Sequence, residues 1–175
     1  MTVARIAVTI AVAVALQTTL LPYLVGNWSG IDLVLVAVIY VAMMTGPVPA
    51  LVSGALGGIV QDALSGGLIG VGGVAKTLVG FSVAMLSAQV IVVPALPRFV
   101  VFFLSTLVHG FVFLGLYSML ESYNPNTGIG AVFGQSLGNG VAGVVLFELT
   151  KVLPRLGALR LRGFNSGRVK PRMEW

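Results

Sequence analysis

Apolar residues run almost without interruption from Ile6 to Val152. Breaks that are polar or rich in glycine and proline divide this stretch at residues 22–30, 46–49, 62–73, 94–98 and 121–130. A helix that spans a bilayer needs about 20 apolar residues, so the segments between the breaks are typical of membrane helices. The pattern predicts an all-α polytopic membrane protein, a bundle of six helices at about residues 4–21, 31–45, 49–61, 74–93, 99–120 and 131–153.

The second and third predicted helices are short, and the rival interpretation is one kinked helix through the Gly-Pro-Val-Pro sequence at 46–49, which gives five spans. We favour a break, because the two prolines remove backbone donors that a continuous helix needs. Ser29 and Asp32 fit the start of a separate helix, with Ser29 as N-cap and an acid three residues later. We expect such short helices where the bilayer thins or where neighbours shield their ends.

Composition indicates that lipid is the solvent of this chain. Hydrophobic residues make up 57% of the sequence, charged residues only 9%, and the mean hydropathy is +1.04. A chain with so few polar residues cannot cover the surface of a water-soluble globule. We therefore expect one transmembrane bundle at residues 1–153 and a short tail at 154–175.

The net charge of +5 is concentrated near the end of the chain. Beside a membrane exit, such a cluster indicates binding to anionic lipid headgroups, at about 1 kcal/mol per basic residue, and not to nucleic acid. Basic residues collect in cytoplasmic loops, so six spans place both termini in the cytoplasm. The basic residues of the tail are Arg155, Arg160, Arg162, Arg168, Lys170 and Arg172.

Candidates for catalysis are few, since the chain has no cysteine and a single histidine. The sequence shows neither metal-ligand spacing nor a Ser/His/Asp set, so we expect no catalytic residue, metal or cofactor. His109, inside the fifth predicted helix, is either a proton relay or ligand group, or an imidazole hydrogen-bonded to a neighbouring helix. Glu148 and Lys151 are three residues apart, so they share a helix face and are expected to pair.

Asp62 and Lys76 bracket a glycine-rich loop and would emerge on the same side of the membrane. If the loop folds back, the two side chains form an intramembrane polar pair, which reduces the cost of burying either charge. The functional alternative is a small-ligand site at this pair.

Small residues at four-residue spacing are the strongest physical signal in the chain. They form flat strips on which another helix can pack closely, and such close approach is what holds helices together in lipid. Two interpretations stay open: the strips hold this bundle together, or they bind the helix of a partner. The strips are Ala7/Ala11/Ala15, Ser53/Gly57, Gly54/Gly58, Gly134/Gly138/Ala142 and Ser136/Gly140.

The run from Asp32 to Ala42, followed by Thr45-Gly-Pro and by the segment 54–70, resembles the rod shape-determining protein MreD family. The Gln-Thr-Thr-Leu-Leu-Pro sequence at 17–22 and the Lys-Thr-Leu-Val-Gly-Phe sequence at 76–81 fit the same family. The order and spacing of these patterns make the match more specific than any one of them. The resemblance covers about residues 16–81.

This resemblance implies a component of the bacterial inner membrane that binds MreC, a single-span protein, and acts with MreB filaments and the cell-wall synthases. It also implies a bundle similar to the substrate-binding subunits of energy-coupling-factor transporters. We therefore expect a non-catalytic scaffold that links the MreB cytoskeleton to peptidoglycan synthesis and maintains rod shape.

The alternative function is a solute-binding membrane subunit of an energy-coupling-factor transporter. Such subunits use an Ala-x-x-x-Ala face on the first helix to dock a coupling protein, and the strip at Ala7, Ala11 and Ala15 has this spacing. A solute pocket would have to be built from the polar residues expected on the outer side, which are Trp28, Asp62, Lys76, Glu121 and Tyr123.

Overall fold

The computed structural model describes residues 2–21, 23, 30–89, 94–120 and 129–165, with side chains of the last segment up to Val152. Within these residues the regular structure is helical, and the predicted all-α fold with six helices is confirmed there. The helices are α1 (Val3–Ala15, continued by a π-helical turn at Leu16–Leu20), α2 (Leu33–Thr45), α3 (Pro47–Ser65), α4 (Val71–Ser87), α5 (Ala95–Leu120) and α6 (Ile129–Asn165). The chain forms two compact units, Met1–Val144 and Val145–Trp175.

Among the described residues, three helices are long and apolar enough to cross a membrane: α3, α5 and the first 24 residues of α6, Ile129–Val152. The outer surface of the first unit is covered with large apolar side chains, including Val8, Leu56, Val108 and Phe111, which are 53–62% exposed. Exposed apolar surface on this scale is typical of contact with lipid. The polytopic membrane fold follows from these two observations, whereas the crossing of the bilayer by α1, α2 and α4 stays a prediction.

The short helix α2 forms the core of the first unit. Eight of its residues between Val34 and Ala42 are buried, and none of the eight is more than 3% exposed. A helix that is apolar on all sides is stable only when other helices surround it, and α1, α3, α4 and α5 all pack against α2. Neighbouring helices therefore surround the middle of α2, whereas Met44 near its C-terminal end is 47% exposed, so the shielding of the helix ends stays a prediction.

The chain breaks between α2 and α3 as the prolines predict. Gly46 has a φ of 97°, a conformation that favours glycine, and Pro47 occupies the first turn of α3, where a missing N–H costs nothing. A Cβ on Gly57 would contact Val34, so the two helices fold back on each other as a hairpin. The single kinked helix is therefore wrong.

Several predicted boundaries differ from the structure. The helix α3 has 19 residues, Pro47–Ser65, so it is longer than the predicted 49–61 and is not short, and α4 begins at Val71 and not at Val74. The N-cap of α2 is Asp32 and not Ser29, which lies outside the described residues. The helix α5 begins at Ala95, so Arg98 lies in its first turn, only 3% exposed, and not in a loop. The helix α6 continues through Pro154 to Asn165, into the segment predicted as a tail.

Candidate functional site: a buried polar cluster and an apolar groove

An ion pair lies inside the bundle at the start of α2. Lys76 Nζ is 2.8 Å from Asp32 Oδ2, and the two side chains are 3% and 6% exposed. Asp32 is also the N-cap of α2, because its Oδ1 accepts a 2.9 Å hydrogen bond from the backbone N–H of Leu35. Charges buried to this degree are tolerated only when they are paired and hydrogen-bonded. The predicted pair of Lys76 with Asp62 is thus corrected: the ammonium group lies on Asp32.

Asp62 instead binds the backbone of the glycine-rich loop. Its Oδ2 accepts hydrogen bonds from the N–H groups of Gly70 at 2.9 Å, Gly72 at 2.9 Å and Gly73 at 3.4 Å. These groups stand at the N-terminus of α4, where a helix has unpaired donors and the positive end of its dipole. Gly70 has a φ of 103°, and a Cβ on Gly72 would collide with the Asp62 carboxylate. Asp62 does not pair with Lys76 because these backbone N–H groups already bind its carboxylate.

Two amide side chains hold the start of α2 in place. Asn139 Oδ1 accepts a 2.8 Å hydrogen bond from the backbone N–H of Asp32, while its Nδ2 donates to Thr106 Oγ1 at 3.2 Å. Gln17, in the π-helical turn, accepts from the N–H of Leu33 at 2.7 Å. The sequence patterns did not indicate a role for either amide. The available signal was a lone amide within an apolar helix, which in a membrane needs a partner on another helix.

A cavity of about 380 Å³ adjoins this polar cluster. His109 is only 5% exposed there, and in the described part of the chain neither of its ring nitrogens has a hydrogen-bond partner. The Oε1 atom of Gln61 is also buried and has no hydrogen-bond partner among the described residues. The hydrogen bond from His109 to a neighbouring helix, which one interpretation required, is therefore not found among these residues. The polar and aromatic residues of the lining are Gln17, Asp32, Gln61, Asp62, Ser65, Lys76, His109, Phe113, Tyr117 and Gln135.

An apolar groove of about 830 Å³ lies between α1 and α3, and we call it the α1–α3 groove. All three alanines of the predicted α1 strip, Ala7, Ala11 and Ala15, line it. On the α3 side, Ser53 and Gly57 line it together with Val48, Val52, Leu56 and Val60, which are 46–73% exposed. Small residues bring a helix backbone close to the surface, so a groove of this composition can accept another helix at short distance.

Gly54 and Gly58 serve the packing of α3 on α4. A Cβ on Gly54 would stand 2.8 Å from the carbonyl carbon of Lys76, and one on Gly58 would stand 2.5 Å from the Cα of Gly73. Carbon atoms prefer a separation of about 3.5–4.0 Å, so no side chain fits at either position. The predicted contact of these two glycines with a partner helix is corrected, because α4 of the same chain occupies that face.

The residues of the α6 strip Gly134/Gly138/Ala142 differ in their surroundings. A Cβ on Gly138 would stand 2.5 Å from the carbonyl oxygen of Gly30, so Gly138 also packs within the chain, and its predicted contact with a partner is corrected. Gly134, by contrast, has no atom within 4 Å of its Cβ position, and Ala142 is half-buried. These two positions keep the predicted role as a hypothesis.

A family model described as rod shape-determining protein MreD matches residues 2–155 of the chain. The chain belongs to this family. The resemblance seen at residues 16–81 is therefore confirmed, and it extends over almost the whole membrane part. No curated protein and no solved structure matches the chain, so its likeness to transporter subunits is unsupported.

Membership of the MreD family gives the chain a role in rod shape determination. MreD proteins are structural membrane proteins of the MreB/MreC shape system and are not known as enzymes. For this member, the interior polar cluster and the α1–α3 groove are the two features that go beyond a plain lipid-facing bundle.

The second compact unit contains the end of α6. Lys151 Nζ lies 2.9 Å from Glu148 Oε1, so the predicted pair on one helix face is confirmed. Both side chains are about half exposed, at 44% and 51%, and exposed pairs contribute little to stability. Three basic residues of the predicted tail, Arg155, Arg160 and Arg162, lie within α6. The other three, Arg168, Lys170 and Arg172, lie outside the described residues.

Proposed function

We propose that this MreD-family chain is a non-catalytic scaffold of the cell-elongation machinery in the bacterial inner membrane. It binds the membrane helix of a MreC-like single-span partner and thereby links the MreB cytoskeleton to the synthases that build peptidoglycan. The family supports the setting, since MreD belongs to the MreB/MreC shape system. The observation that carries the binding role is the α1–α3 groove.

The α1–α3 groove fits a transmembrane helix in composition and length. Its α1 side extends from Val3 to Thr19, which corresponds to about 25 Å at 1.5 Å per residue, close to the thickness of a bilayer core. Ala7 and Ala11 are exposed, so their small side chains are not consumed by packing within the bundle. In lipid, helices associate through close packing at small residues and not through the hydrophobic effect. A single-span helix is therefore the occupant that the groove favours.

The basic residues near the chain end support a cytoplasmic location for both termini. Basic residues are enriched in cytoplasmic segments, and Arg155, Arg160 and Arg162 follow each other on α6 beyond the apolar span. The proposed partner of these residues is the anionic surface of the inner leaflet. A cysteine introduced at Met173 is expected to react with an impermeant maleimide in inverted vesicles only; labelling in intact spheroplasts would reverse the orientation.

The experiment on the groove uses two exposed alanines. Replacing Ala11 with Leu fills the groove without a clash inside the bundle, whereas Ala63, an exposed residue of α3 outside the groove lining, provides the matched control. We expect Ala11→Leu to reduce co-purification of a MreC-like partner about tenfold, which corresponds to about 1.4 kcal/mol, and Ala63→Leu to leave it unchanged. Equal recovery with both variants at equal membrane levels would remove the groove from the proposal.

A further inference from the structure

The cavity beside the ion pair contains polar atoms that the protein does not satisfy by itself. His109 is 5% exposed, and neither of its ring nitrogens has a hydrogen-bond partner in the part of the chain that the structure describes. Gln61 Oε1 is buried in the same way and also lines the cavity. Buried polar groups are nearly always paired, because an unmade hydrogen bond costs the full desolvation of the group. Two such groups at one cavity therefore indicate a site for a hydrogen-bonding molecule.

One wall of this cavity is aromatic. His109, Phe113 and Tyr117 follow each other at four-residue spacing on α5, so they lie on one face of the helix. The rings of His109 and Phe113 are stacked with centroids 5.9 Å apart and an interplanar angle of 25°, and Phe113 is 5.6 Å from Tyr117. Aromatic faces favour offset stacking with another flat ring. The shape preference of the site is therefore for a planar molecule.

The charged groups at this cavity, which sum to −1, each have a partner within the protein. The ammonium group of Lys76 is paired with Asp32, and the carboxylate of Asp62 accepts from the backbone N–H groups of three glycines. An anionic ligand would lose its hydration without meeting an unpaired cation, because Lys76 is already paired with Asp32, and its entry is therefore costly. An uncharged ligand does not pay this cost, and it can still bond to His109 and Gln61.

We propose that the cavity binds a small, uncharged, planar heteroaromatic compound that carries an amide-like hydrogen-bond donor and acceptor. Its ring packs along Phe113 and Tyr117, one of its amide-like groups bonds to the nearer ring nitrogen of His109, and a donor meets Gln61 Oε1. The volume of about 380 Å³ is within the usual range of small-molecule sites. Such a site is independent of partner binding in the α1–α3 groove, so either proposal can fail without the other.

The single histidine of the chain makes the test direct. We would label the full-length protein in lipid nanodiscs with [15N]histidine and follow the two ring signals during titration with nicotinamide, pyrazinamide and cytosine. Nicotinate, which has the same ring as nicotinamide but carries a charge, is the matched probe. We expect saturable shifts of both signals with at least one uncharged compound and weaker binding of nicotinate. Unmoved signals with all three compounds, as for a cavity that holds only water, or tighter binding of nicotinate, would overturn the proposal.

A pair of glutamine variants separates this site from general binding to the protein. Gln61→Leu removes the unpaired acceptor, while Gln89→Leu changes an exposed glutamine outside the cavity lining. By equilibrium dialysis against radiolabelled nicotinamide, we expect Gln61→Leu to weaken binding about tenfold, the loss expected for one hydrogen bond. The Gln89→Leu protein should bind as the unchanged chain does. Circular dichroism of both variants confirms folding, and a folded Gln61→Leu protein with unchanged affinity would contradict the placement.

Discussion

Replacing Lys76 with Met tests the buried ion pair. The substitution keeps a long, flexible side chain of similar volume but removes the ammonium group that lies 2.8 Å from the Asp32 carboxylate. Asp32 is 4% exposed, so its charge would stay inside the bundle without its cation. The carboxylate would retain the 2.9 Å hydrogen bond from the N–H of Leu35, which offsets part of the loss.

The expected magnitude follows from this geometry. Breaking a buried pair by removing one partner costs about 3–5 kcal/mol, and the remaining hydrogen bond at the N-cap places Lys76→Met near 3 kcal/mol. Asp32→Asn leaves the ammonium group unpaired and should cost about as much, although asparagine still caps the helix. The double variant removes both charges, so most of the stability should return, with a coupling free energy of about 2 kcal/mol or more.

The assay is equilibrium unfolding in mixed micelles, with the signal followed by circular dichroism. The exposed pair provides the reference, because Lys151→Met breaks a contact whose side chains are about half exposed and should cost under about 1 kcal/mol. A second cycle, Lys76→Met with Asp62→Asn, should show clearly weaker coupling than the cycle with Asp32. Equal costs for Lys76→Met and Lys151→Met, or stronger coupling to Asp62, would refute the structural assignment.

Three further changes have defined outcomes. Gly58→Ala places a methyl group against the backbone of α4 and should destabilise the fold by about 1–3 kcal/mol. In the control Gly134→Ala the methyl group meets open space, so the change should be neutral. Equal unfolding curves for the two variants would contradict the packing of α3 on α4. Asn139→Ala leaves the backbone N–H of Asp32 without its partner and removes the bond that the Thr106 hydroxyl accepts, so it should cost about 2 kcal/mol in the same assay. Wild-type stability would show that these bonds contribute nothing. A peptide of residues 154–175 should bind anionic vesicles more tightly than neutral ones and lose affinity with added salt; indifference to both would leave the basic tail without a lipid partner.

The helical fold could be predicted from the sequence because its signals are local. Apolar runs of membrane length and the two prolines at 47 and 49 separate the helices without knowledge of any contact. The exact starts were harder, because Ser29 and Asp32 are both good N-caps and only the fold decides between them. Asp32 is the N-cap because its carboxylate binds both the N–H of Leu35 and the ammonium group of Lys76.

The polar cluster could not be predicted in the same way. Asp62 and Lys76 are neighbours across one loop, but the sequence does not show that backbone N–H groups at the start of α4 compete for the carboxylate. Asn139 is 107 residues from its partner Asp32, a separation that no local pattern bridges. Gly54, Gly58 and Gly138 are close-packing positions, as their spacing indicates, but Gly134 has no neighbour within 4 Å of its Cβ position. The spacing alone does not show whether a helix face is turned toward this bundle or away from it.

Cysteine cross-linking to the partner tests the central claim most directly, because the chain contains no cysteine of its own. One variant carries a cysteine at Ala11 in the α1–α3 groove, and a second variant carries it at Ala63 outside the groove. Each variant is combined with a cysteine scan along the membrane helix of a MreC-like partner. We expect disulfides from position 11 at partner positions spaced by three or four residues, and none from position 63. Disulfides from position 63 alone, with the complex intact, would contradict the account.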